Sequence, residues 1–139
     1  MADARPLRLL AEDADDLAVI SAALQDAVAK LGDIRYEAAS RQLTIAANRF
    51  RWEAPGERVR TALQLGSVLS VKTRNVRQGA KSAVVEILAI GFEPGEAPGG
   101  VITITLAGGG DLRCEVECIE AILADVSMPW PAPREPKHD

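Results

Sequence analysis

Few residues in this chain have the reach to do chemistry. They are Cys114 and Cys118, the single His138, carboxylates gathered near the 111–120 stretch, three glycines at 108–110, and arginines interleaved with aromatics in NRFRWE (48–53). A catalytic base needs a fixed distance to its nucleophile. His138 stands next to the last residue given, in a stretch with Pro129, Pro131, Pro133 and Pro136, which argues against Ser–His and Cys–His mechanisms. A structural zinc site takes about four ligands, and no second cysteine pair or internal histidine completes one around Cys114 and Cys118. Cys114 shares the parity of Leu112 and Val116, so it reads as a buried thiol. Glycines 108–110 join two strand-like segments with no lysine or helix start behind them, which makes them a hairpin turn rather than a phosphate cradle. Neither a metal nor a cofactor is called for.

Glu115, Glu117 and Glu120, with Asp111 close in sequence, could act as acid and base or hold a cation. At exposed strand and helix-start positions their ordinary role is solvation. NRFRWE is the sharpest local feature, because arginines beside aromatic rings are what phosphate and nucleic-acid surfaces use. Alternation sets Phe50 and Trp52 on one side of a strand and Arg49 and Arg51 on the other. Arg58 and Arg60 on the next strand extend the second side into a basic face of four arginines: Arg49, Arg51, Arg58 and Arg60.

That face belongs to a wider segregation of charge. Residues 1–33 carry three basic and seven acidic side chains, residues 41–81 nine basic and two acidic, and residues 82–139 three basic and ten acidic. The net charge of −4 hides a basic middle between acidic ends. Overall acidity, with an isoelectric point near 5.1, argues against a dedicated nucleic-acid binder.

The elements that must position these groups follow from periodicity. Leu17, Ile20, Leu24, Ala27, Val28 and Leu31 form a helical stripe, with Asp13 as N-cap and Gly32 as C-terminal cap. The period then drops to two. Strands are expected at 34–39, at 43–53 with a bulge near Ala47–Asn48 to turn Phe50 and Trp52 inward, and from Glu57 to Leu65. Further strands are expected over 67–73, 83–93, 101–107 and 111–117. A second helix is expected from Ile119, Ile122, Leu123 and Val126. The fold class is thus α+β, an N-terminal helix, a curved antiparallel sheet of six or seven strands and a C-terminal helix, in outline like a pleckstrin-homology roll. Residues 1–126 form the single domain and 127–139 a proline-rich extended or disordered tail. The acidic start lacks a signal-peptide core, and no apolar run approaches the roughly 20 residues that span a bilayer. With only two cysteines, a reducing cytoplasm is the expected setting.

NRFRWE, SVLSVKTR and DLRCEVECIEAILADV resemble a family of small uncharacterised alphaproteobacterial proteins, a domain of unknown function, over about residues 9–125. The resemblance implies a bacterial cytoplasmic setting and assigns no activity or site. The leading expectation is a non-enzymatic binding module whose basic sheet face meets an acidic protein or a phosphate-bearing ligand, with self-association as a variant. A small carboxylate-based enzyme, with or without a metal, is the alternative from another class. Weak RNA binding is a third.

Overall fold

The computed structural model describes residues 6–54, 56–77 and 79–131. Among them the chain forms one α-helix, α1 (Ala14–Leu24), and eleven short strands. These are β1 (Arg8–Ala11), β2 (Val28–Lys30), β3 (Ile34–Glu37), β4 (Gln42–Phe50), β5 (Glu57–Leu65) and β6 (Val68–Arg74). They continue as β7 (Val84–Pro94), β8 (Gly100–Leu106), β9 (Asp111–Val116), β10 (Ala121–Asp125) and β11 (Trp130–Pro131). The molecule is therefore mostly sheet, which corrects the helix–sheet–helix expectation and removes the basis for a pleckstrin-homology outline.

The helix begins as its sequence dictates. Asp13 is extended, and its carboxylate accepts the Asp16 amide at 2.8 Å, while Leu17, Ile20 and Leu24 are buried. It stops a full turn and more before Gly32. Asp26 adopts a φ of 66°, which a right-handed helix cannot contain. The Asp26 amide donates to the Ile87 carbonyl and Ile87 donates back to Ala27, so the chain joins the sheet instead. Ala27, Val28 and Leu31 fit helical spacing, but Ala27 and Ala29 alternate equally well, and the sheet decides.

The C-terminal helix is replaced by β10. A five-residue apolar segment is short for a helix nucleus. Here it fills the slot between β1 and β5, where both of its edges find ladder partners. Ala121 and Leu123 face the core.

All the pairings are antiparallel, in the order β1-β10-β5-β4-β2-β7-β8-β9-β6, with β3 on β4 and β11 on β5. Alternation places Leu43, Ile45, Leu63, Ile102, Ile104, Leu112, Cys114 and Val116 in one core, and α1 packs over it against β7, β1 and β4. The expected bulge in β4 is absent, because β4 and β5 stay in register from Leu43–Leu65 to Phe50–Arg58. Register shifts fall instead in β6 on β9, between Val68 and Ser70, and in β7 on β8, between Ile87 and Ala89; the second matters for the core. It lets Ile87 and Ile90, of opposite parity, both be buried.

One end of this path, β6, comes back against β3. Val68, at the start of β6, donates to the Arg41 carbonyl and accepts the Tyr36 hydroxyl from β3 at 2.7 Å. No ladder continues this join between β3 and β6 among the described strands.

Candidate functional site

The four arginines of NRFRWE and β5 do not share an open face. Arg49 keeps the inward parity of Leu43, Ile45 and Ala47 and is fully buried. Its Nε and Nη2 donate to the two oxygens of Asp125 on β10 at 2.9 and 2.8 Å. Its Nη1 and Nη2 donate to Glu53 at 3.1 and 2.8 Å. Burial works against the Arg49 charge, but these four bonds outweigh it and hold the guanidinium more firmly charged than usual. Burial likewise pushes the Asp125 carboxyl up, and the bonds from Arg49 and the Leu7 amide (2.9 Å) overcome it, leaving Asp125 below the usual carboxylate range. The Arg49 bond lowers Glu53 in the same way.

Arg51 is also buried and pairs with Glu57. Arg58 lies 3.8 Å over the Phe50 ring. Arg60 donates to Asn48 at 3.1 Å and to Asp33 at 3.0 Å. The solvated face expected of Arg49 and Arg51 is thus corrected to a buried ion-pair network. Parity had pointed Arg49 inward, and two carboxylates distant from one another in sequence make that burial tolerable.

The carboxylates of the 111–120 stretch do not converge. Glu117 pairs with Arg41, Glu120 accepts the Ser67 hydroxyl at 2.8 Å, Glu115 faces Ser70 at 3.4 Å, and Asp111 pairs with Arg74 at 2.6 Å. Among the described residues no group of three His, Cys, Asp or Glu could hold a metal. Cys114 is buried, and burial pushes its thiol up to about 12. His138 and the tail beyond Pro131 lie outside the described residues.

One concavity among the described residues is carried by no local motif in the sequence. A cavity of about 550 Å³ occupies the seam between β3 and β6. Its apolar floor is Leu31, Ile34, Val76 and Leu112, and its rim carries Arg35, Arg77 and Lys81. One wall is pinned where the Gly32 amide donates to the Lys81 carbonyl and Leu31 to Ala83, both at 2.9 Å. A Cβ on Gly32 would stand 3.1 Å from that carbonyl, so the close approach relies on glycine.

Among the described residues no acidic side chain lines the cavity, and the nearest ones in sequence are taken. Asp33 is held by Arg60, Asp111 by Arg74, and Glu37 accepts the Ser40 hydroxyl. Arg35, Arg77 and Lys81 are exposed and make no ion pair or side-chain hydrogen bond among the described residues. Arg35 lies more than forty positions from the other two, which is why no local motif announced the site.

The model of a family described as a protein of unknown function, DUF2948, matches residues 7–138. The chain belongs to the DUF2948 family. The match runs past Asp125 into the proline-rich segment. No curated protein and no solved structure matches the chain. The family description carries no activity, so any function for this DUF2948 chain has to be argued from its geometry.

Proposed function

We propose that this chain is a binding module that takes an anionic, phosphate-bearing ligand in the cavity between β3 and β6. The observation that carries this reading is three cations on one concave site that, among the described residues, have no ion-pair partner and no acidic side chain beside them in the lining. Guanidinium groups fork onto phosphate or carboxylate oxygens, and a lysine adds a mobile point charge. Concavity favours a small ligand over a flat protein surface, and the volume falls within the usual range for small-molecule sites. Arg49, Arg51, Arg58 and Arg60 give less support to a binding face, since Arg49 and Arg51 have their donors turned to carboxylates of the chain itself.

The test is a titration of the ¹⁵N-labelled chain with inorganic phosphate at low ionic strength. Amide shifts are expected to gather at 31–35, 73–77 and 79–81, with a dissociation constant near the millimolar range. They should vanish in an Arg35→Gln/Arg77→Gln/Lys81→Gln variant whose circular dichroism is unchanged. Shifts that are absent, or that persist in the folded variant, refute the site.

A further inference from the structure

We infer that the cavity selects a phosphomonoester carried on a short aliphatic body; this rests on the reading of the seam as an anion site and names its ligand class. Two features of the lining define that class. The first is charge. A phosphomonoester carries about −1.5 to −2 at neutral pH, a closer match to Arg35, Arg77 and Lys81 together than a single carboxylate. The second is the floor below them. Leu31, Ile34, Val76 and Leu112 are aliphatic, and among the described residues no aromatic ring lines the cavity. A nucleobase is held chiefly by stacking on such rings, so this floor offers it little, whereas it can cover methylene groups.

An inorganic anion would leave the floor wet. An aliphatic ester fills both halves of the site, with its head at the rim and its chain across Ile34 and Val76. Those residues sit on separate elements, β3 and the segment after β6, and both are only half-buried without a ligand. Covering them removes apolar surface from water, and each buried methylene is worth about fourfold in affinity.

The experiment is calorimetric titration of the full chain with ethyl, butyl and hexyl phosphate, beside heptanoate and adenosine monophosphate as probes. The dissociation constant should fall about fourfold per methylene from ethyl to butyl, roughly tenfold or more in all. Hexyl phosphate should bind at least tenfold more tightly than heptanoate or the nucleotide. A Val76→Asn variant should flatten the chain-length series while keeping the inorganic phosphate shifts.

A flat series in a protein that still shows those shifts overturns the aliphatic ester and leaves the anion site standing. Loss of both removes both readings. Heptanoate or the nucleotide binding as well as hexyl phosphate also overturns the proposal. Sedimentation with phosphatidylcholine vesicles containing phosphatidic acid separates the two sources of such a head group. A soluble ester requires the protein to stay in the supernatant, and co-sedimentation overturns that assignment.

Discussion

Replacing Asp125 with asparagine tests the buried network most directly. In the native chain the Asp125 side chain is almost wholly out of water and holds Arg49 through two charge-assisted bonds at 2.8–2.9 Å, together with the Leu7 amide. Asparagine keeps the shape and loses the charge, so the fully buried Arg49 is left with Glu53, whose side chain is 39% exposed. Removing one partner of a buried ion pair costs about 3–5 kcal/mol, a large share of the roughly 5–15 kcal/mol that holds a domain folded. With a urea dependence of about 2 kcal/mol per molar, the unfolding midpoint should fall by roughly 2 M.

The effect also carries a pH signature. The folded Asp125 carboxyl lies below its ordinary value, so its contribution is complete above about pH 4 and is lost as pH falls through the folded value. The gap between wild type and Asp125→Asn should therefore close on acidification from pH 5 toward pH 2. Urea melts monitored by circular dichroism at several pH values measure both quantities. A loss under about 1 kcal/mol at pH 7, or a gap that does not change with pH, would refute the claim that this pair is buried and charged. An Arg49→Met/Asp125→Leu double variant should recover much of the loss, since the apolar pair leaves no fully buried charge unpaired and the partly exposed Glu53 can turn to water.

Two other outcomes follow from packing. A Cβ on Gly100 would lie 2.6 Å from the Phe92 ring and would also collide with the Glu93 carbonyl, whereas one on Gly66 meets the end of the Glu120 side chain at 2.9 Å. Gly100→Ala should therefore cost roughly 1–3 kcal/mol or more, and Gly66→Ala distinctly less because Glu120 can swing away; equal thermal shifts would contradict this contrast. Cys114, buried with its thiol pushed up to about 12, should resist Ellman's reagent in the folded chain while the half-buried Cys118 reacts first. Mass mapping of the modified peptide checks the order, and early labelling at Cys114 would contradict its burial.

The parts of this fold that were legible in the sequence are those whose side chains fit one period and one face. Asp13 with Leu17, Ile20 and Leu24 announced α1, and Ile102–Ile104–Leu106 and Leu112–Cys114–Val116 announced the β8–β9 hairpin across Gly108 and Gly109, both at positive φ. Illegible were segments that suit two periods. Residues 27–31 and 119–126 satisfy helical spacing and alternation alike, and neighbouring strand edges with unmade hydrogen bonds settled them. Arg49 failed for a different reason. Its parity was inward, but a buried arginine is acceptable only when carboxylates close around it, and Asp125 lies 76 positions away. The seam cavity was hidden for the same reason, since Arg35, Arg77 and Lys81 become neighbours only after β6 returns to β3.

The placement of β1 sets an order for assembly during synthesis. Among the described strands β1 pairs only with β10, and the bond from the Leu7 amide to Asp125 spans 118 positions. On a ribosome β1 emerges long before its partner is made, so its donors and acceptors stay open until nearly the whole sheet exists. Docking of β1, and with it the closure of water from Arg49 and Asp125, is therefore a late event on the growing chain, and the exposed edge in the interim is where a nascent copy is most open to pairing with a neighbour.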